Sequence, residues 1–323
     1  MESKLILSFG AIADIQYADI EDGYNFAGTR ERYYRTALRM LKRAISSWNN
    51  NDKRKPSFVL QLGDIIDGKN KPISERALNS VLGEFAQFDG PVYHIWGNHE
   101  YYNFSRKFLL DSPIYSGLDK NVVPVKNKAY YMCVPHPQLR ILALDCYEIS
   151  HLACLKDSED YKLASRYLEI NANEDVNCCK GLEGTNARFV QYNGALSTEQ
   201  IDWIDKNLTE AEQMKQNVIV IGHCGVCPGS IDSSCLCWNA PEVLQVLQSH
   251  SSCMVAYLAG HDHFGGMACD DQGIMHITFP GVVENKSEAD FGTFYMYEDR
   301  LELVGNGRAQ TLTLRLRYMS GIS

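Results

Sequence analysis

Five apolar runs in this chain each break off into a short polar motif, and that recurrence restricts the available folds more than any other feature. The motifs are Asp14-Ile15-Gln16, Gly63-Asp64, Gly97-Asn98-His99-Glu100, Gly222-His223 and Gly260-His261-Asp262-His263. The runs before them, "LILSFGAIA", "FVLQL", "VYHIW", "NVIVI" and "MVAYLA", have the length and apolar content of buried strands. Between them lie amphipathic stretches. Residues 30–48 place Tyr34, Leu38, Leu41, Ile45 and Trp48 on one helical face behind Thr29 as N-cap. Helices are also predicted over about 74–88 and from a Ser197–Gln200 capping box through Leu208, and Pro241 fits the first turn of another. Strands are predicted at 129–134 and 139–145 around a Pro-rich turn at 135–137, with four more from about residue 274. The polar stretch 147–192 has no clear core pattern.

Alternating strands and helices without a composition shift predict an α/β chain forming one domain over residues 1–323. The net charge of −9 and the lack of an extended basic block argue against nucleic-acid and anionic-membrane partners. An anionic substrate would need a local positive charge, which a bound metal would supply. No apolar run has membrane-spanning length, and the short N-terminal run reads as a core strand rather than a signal peptide. Eleven cysteines, an odd number, read as reduced thiols of a cytoplasmic protein. Among them Cys224, Cys227, Cys235 and Cys237 pair a C-x-x-C with a C-x-C, which departs from zinc-finger spacing and favours inert buried side chains.

Strand-end loops are where α/β proteins collect functional groups. Any one Gly-Asp or Gly-His is ordinarily a turn, but five in series point to one shared metal site. The donors are carboxylates, amides and imidazoles, a set suited to Mn²⁺, Fe²⁺, Zn²⁺ or Mg²⁺ rather than to soft metals.

The series Asp-x-Gln, Gly-Asp, Gly-Asn-His-Glu, Gly-His, Gly-His-x-His resembles the signature of the calcineurin-like metallophosphoesterases, from residue 5 to about 300. That resemblance implies a four-layer α/β/β/α sandwich of two mixed sheets with helices outside. It implies two divalent ions bridged by Asp64, one held by Asp14, Gln16 and His263, the other by Asn98, His223 and His261. His99 would be the catalytic histidine beside the second ion. Gln16 stands where most of the family has His. An amide oxygen is a harder and weaker ligand than an imidazole, so this site should prefer Mn²⁺, accept Mg²⁺, disfavour Zn²⁺ and lose its ion readily.

Longer stretches, "YADIEDGYNFAGTRERYYR", "NGALSTEQIDWI" and "CLCWN", resemble a manganese-dependent branch acting on ADP-ribose and CDP-alcohols. The resemblance implies hydrolysis of nucleoside-diphosphate-X substrates to a nucleoside monophosphate and X-phosphate by a hydroxide bridging the ions. A cyclic-nucleotide phosphodiesterase or phosphomonoesterase on the same site is the alternative reading, and a non-catalytic scaffold the third. For substrate contacts Phe26 and Cys235 stand out, with Tyr24, Tyr101, Tyr102 and Trp238 as further aromatic surfaces and Arg30 and Arg32 for the distal phosphate. The expected partners are nucleoside diphosphate-linked small molecules, and the expected state is a monomer.

Overall fold

The structure, a computed structural model, describes residues 4–51 and 54–319. The chain begins with β1 (Leu5–Ile12), a ribbon of β2 (Gly23–Tyr24) and β3 (Glu31–Arg32), α1 (Tyr34–Asn49), β4 (Val59–Gln61), α2 (Ser74–Phe85) and β5 (Val92–His94). Two short helices, α3 (Asn98–Asn103) and α4 (Arg106–Leu110), lead to β6 (Val122–Pro124), β7 (Tyr131–His136) and β8 (Leu139–Ala143). Next come α5 (Glu159–Leu168), α6 (Thr198–Gln213), β9 (Asn217–Ile221), α7 (Ala240–Ser249) and β10 (Met254–Ala259). The end is all strand: β11 (Gly266–Cys269), β12 (Met275–Thr278), β13 (Phe291–Tyr297), β14 (Arg300–Asn306) and β15 (Leu312–Arg315).

The larger strands form two mixed sheets, in the orders β15-β14-β13-β1-β4-β5 and β11-β12-β10-β9-β8-β7-β6. In the first, β1 runs parallel to β4 and antiparallel to β13, with Phe9 opposite Phe294. In the second, β8, β9, β10 and β12 are parallel, with antiparallel strands at both edges. Strand alternation assigns neighbouring residues to different cores. Leu60, Ile219 and Ile221 join Phe9 and Phe294 between the sheets, while Val59, Val218 and Val220 belong to the cluster that includes the helix residues Leu41, Trp48, Leu208 and Leu247. The result is the α/β/β/α sandwich. Among the described residues no helix is long and apolar enough to cross a membrane. The ends of the expected 1–323 domain, residues 1–3 and 320–323, lie outside the described residues.

Several local expectations shift. Helix α1 starts at Tyr34 rather than at 30, because Glu31 and Arg32 pair with Tyr24 and Gly23 in the ribbon. Thr29 is not its N-cap; its N–H donates to Asn25 Oδ1 at 2.8 Å in the ribbon turn, and Leu38 is only partly buried where it packs against the core. Ser197 does cap α6, accepting from Gln200 N at 3.1 Å, but Gln200 turns inward to Asp145 and Glu148 instead of closing the box. Pro135 sits within β7, whose pairing with β8 is irregular between Cys133 and His136. The 147–192 segment carries α5, capped by Ser158, whose Ala164 and Leu168 pack in a satellite core with Phe189 and Trp238.

Candidate metal centre

Each motif begins one or two residues after a side chain buried between the sheets: Ala13, Leu62, Ile95, Ile221 and Leu258. The apolar core therefore stops at the strand ends, and the motifs project from that rim. The pleat does not aim them. Past β1 the chain is no longer a strand, and Asp14 and Gln16 both take left-handed backbones, with φ of 50° and 40°. Asp64 and His261 do the same at 56° and 71°, so four of the six non-glycine left-handed residues described are expected ligands. Such backbones cost of order 1–3 kcal/mol each and mark sites where surrounding contacts over-determine the geometry. Those contacts are present: Gln16 N donates to Asp64 O at 2.9 Å, His261 N to Asp14 Oδ2 at 2.9 Å and His99 N to Asp64 Oδ1 at 2.8 Å. Glycines leave the space. A Cβ on Gly97 would stand 2.6 Å from His223 Nε2, and one on Gly260 would stand 2.6 Å from Asp14 Oδ2.

Six of the seven expected ligands meet, Asp64 with His223 and His261 on one side and with Gln16, His263 and Asp14 on the other. Asp64 Oδ2 lies 3.3 Å from His223 Nε2 and 2.9 Å from the Gln16 amide nitrogen. That nitrogen is 3.0 Å from His263 Nε2, which is 3.3 Å from Asp14 Oδ1. Donor atoms adjacent around one octahedral ion at 2.0–2.1 Å stand about 3 Å apart. The 3.3 Å spacings of Asp64 with His223 and of His263 with Asp14 therefore suit shared cations, while Gln16 faces them by its nitrogen. Asn98 opens α3, with its Oδ1 in reach of the Tyr147 hydroxyl at 3.3 Å. Of the eleven buried side-chain atoms that lack a hydrogen-bond partner among the described residues, three lie in this ligand set: Asp14 Oδ1, Gln16 Oε1 and His223 Nε2. Buried polar atoms are almost always satisfied, so three orphans in one ligand set are the mark of a place for ions. The donor set fits two hard divalent cations.

Hydrogen bonds fix the imidazole tautomers. His223 Nδ1 donates to Leu62 O at 2.7 Å, so Nε2 is the nitrogen that faces Asp64. His263 Nδ1 donates to Glu284 Oε1 at 2.9 Å, and His261 Nε2 to Asn193 Oδ1 at 2.7 Å, freeing the other nitrogen in each ring. Glu284 is itself held by Arg30 at 2.8 Å. Carboxylate- or carbonyl-backed histidines of this kind are the usual support of metal ligands. Burial opposes a charge on His223, but the Asp64 carboxylate outweighs it and pushes the pKa up to about 10. A proton there occupies the field a cation would feel.

His99 is different. Its Nδ1 accepts from Gly68 N at 2.9 Å, so the neutral ring carries its proton on Nε2, 3.9 Å from Asp64 Oδ2. Burial lowers its pKa against the pull of Asp64 and Asp67. It is a donor aimed at the site rather than a further ligand.

Sequence reasoning missed three supports. Glu100 accepts from Gly97 N, Asp64 N and Ile65 N at 2.6, 2.8 and 2.7 Å, tying two motif loops together. An acid at the third position of a helix behind a glycine cap was a readable signal for the first of these bonds. Nothing local marks Asn193 or Glu284. Of the proposed substrate contacts, Cys235 is half-buried close enough to Asp262, Asp232 and Asp14 for their charges to add to burial in raising its thiol pKa. Phe26 is 81% exposed at the ribbon tip. Arg30 and Arg32 are engaged by Glu284, Asp262 and Asp67, with Arg30 also stacked on Phe264. Tyr101 and Trp238 are buried packing residues, and Tyr102 meets the His99 ring edge-on. Cys227 and Cys235 stay apart from Cys224 and Cys237, which meet Cys146 instead.

Comparison with known proteins places this geometry in context. The calcineurin-like phosphoesterase family profile matches residues 7–265. The manganese-dependent ADP-ribose/CDP-alcohol diphosphatase of Xenopus tropicalis is 43% identical over 98% of this chain and 97% of its own. The human protein of that name is 40% identical over 95% of this chain and 92% of its own. A crystal structure of a dimetal phosphatase from Danio rerio superposes with a TM-score of 0.90 at 40% identity, covering 97% of this chain and all of that one.

Proposed function

The chain belongs to the calcineurin-like phosphoesterase family, and from that premise we propose that it is a manganese-dependent diphosphatase of ADP-ribose and CDP-alcohols. The observation that carries the reading is 40–43% identity to diphosphatases over 95–98% of the chain, joined to an intact donor set. Asp14, Gln16, Asp64 and His263 would hold one ion, and Asp64, Asn98, His223 and His261 the other. When bound, the ions would supply an activated water and neutralise charge on the phosphate oxygens. With more oxygen than nitrogen donors in the first set, Mn²⁺ and Mg²⁺ are favoured over Zn²⁺.

The chain's own residues do the rest. Gly68 N–H holds His99 so that its Nε2–H points to the centre, where it can donate to the oxygen that takes up charge as the anhydride bond breaks. Burial lowers the pKa of that ring and favours its neutral form, so its role begins as hydrogen-bond donor. Glu100 keeps the Asp64 and Asn98 loops in register through three backbone N–H groups. Phe26 and Cys235 remain our assignments for contacts to the nucleoside side. We also read the chain as one domain, because β13–β15 lie beyond the family match yet β13 pairs with β1 through the centre of the first sheet. A cytoplasmic location is in keeping with eleven free thiols, and a monomer remains our reading of the assembly.

The test uses protein stripped of metal and offered ADP-ribose, CDP-choline and cyclic AMP with Mn²⁺ or Mg²⁺. Release of AMP and CMP, strongest with Mn²⁺ and reduced roughly 10²–10³-fold in His99→Ala, is the expected result. Turnover of cyclic AMP alone would replace the substrate class and spare the metal site. An inert protein under both ions would leave a scaffold.

A further inference from the structure

Behind the centre lies a second cluster built from different chemistry. Cys146 follows β8, Cys224 follows β9 directly after His223, and Cys237 precedes α7, so three distant segments converge. Their sulfurs all lie within 4.8 Å of one another, each side chain has no solvent exposure, and all three thiols are free. We propose that Cys146, Cys224 and Cys237 form a three-sulfur site for a single soft, low-coordinate cation of the Cu⁺ class.

The geometry suits that ion. Sulfurs about 2.3 Å from one ion and coplanar with it stand about 4 Å apart, inside the observed limit. Around the trio the polar groups are already engaged: Tyr257 Oη donates to Cys224 O at 2.8 Å and Tyr147 Oη to Tyr192 O at 3.1 Å. Among the described residues no His, Asp, Glu or fourth Cys completes the cluster. Structural zinc sites are almost always four-coordinate, whereas purely thiolate, low-coordinate sites select Cu⁺. Glycine at 222 keeps the pocket to sulfur, since a Cβ there would collide with Tyr257 Oη and come 3.1 Å from Cys146 Sγ. The two sites then sort ions by hardness: oxygen and imidazole donors on one side of residues 223–224, sulfur alone on the other. Cu⁺ binding needs no oxidant, because the ion enters by displacing thiol protons.

This inference is independent of the diphosphatase reading, and its test reads metal rather than turnover. Cu⁺ is supplied without oxygen to full-length protein in competition with a chromophoric Cu⁺ chelator. About one equivalent per chain should resist the chelator, with X-ray absorption showing three sulfurs at about 2.2–2.3 Å. Cys237→Ser and Cys146→Ser should each abolish that retention, while Cys227→Ser, Cys269→Ser and His263→Ala keep it. Circular dichroism establishes that the variants fold; should one serine variant not fold, the other and Cys237→Ala carry the readout. Unchanged copper retention in folded Cys237→Ser or Cys237→Ala, fewer than three sulfurs, or loss of copper in Cys227→Ser would overturn the proposal.

Discussion

The space between the sheets and the pocket at their rim are made by the same strands and follow opposite rules. Between the sheets Phe9 stacks on Phe58 and Phe294 with ring centroids 5.0 and 4.7 Å away, amid Ile, Leu and Val side chains. At the rim, carboxylates, amides and imidazoles crowd together, three atoms lack partners and four backbones are left-handed. The change takes one or two residues on each strand. Stability is concentrated in the strand bodies and chemistry on their tips, so the two properties should separate on mutation.

The strongest way to break that separation is at the tip. Asp64→Asn keeps the acceptor for His99 N and suits a left-handed backbone, but removes the charge both ions would share. Activity should fall at least about 10³-fold, roughly 4 kcal/mol of barrier, with the metal-free unfolding midpoint displaced by less than about 1 kcal/mol. A collapse of the metal-free fold in urea titration would show that the rim is structural. The strand body is probed by Phe294→Ala, which should lose about 3–4 kcal/mol of stability while kcat of the folded fraction stays within about threefold. A large kcat loss there, measured well below the unfolding midpoint, would unite the two regions. A smaller effect lies between them. Glu284→Gln leaves every ligand in place but weakens the hold on His263, so Mn²⁺ affinity should drop about 10–100-fold by titration of the stripped protein. Unaltered affinity would mean that His263 needs no support.

Legibility in the sequence follows the same boundary. The motifs could be read because each closely follows an apolar run, while the seven expected ligands among them, like the two-sheet architecture, followed from resemblance more than from periodicity. What escaped depends on contacts far along the chain. Asn193 lies 68 residues from His261, and Glu284 lies 21 beyond His263 with Arg30 as its own partner. The left-handed turns escaped too, because Asp, Gln and His do not announce them as glycine would. Arg32 illustrates a local reading overruled: its place in the helix expected from residue 30 yields to pairing with Gly23.

Gln16 has one more consequence, in the counting of protons. A histidine ligand that is protonated must surrender its proton before an ion can enter, so each such ligand makes loading sensitive to acid. An amide has no proton to surrender. What Gln16 must do instead is rotate, because its nitrogen rather than its oxygen now faces Asp64 and His263. Loading of that half of the centre thus exchanges an acid–base step for a turn about one bond. Calorimetry of Mn²⁺ binding near pH 6 in buffers of different ionisation enthalpy should find fewer protons released by this chain than by its Gln16→His variant. Equal proton counts would mean the substituted ring enters its site already neutral. The substitution that weakens the grip on the ion therefore also removes one titratable ligand from that half. It leaves His263, where burial is outweighed by the Asp14 charge and the pKa lies above the ordinary imidazole range, to set the pH dependence.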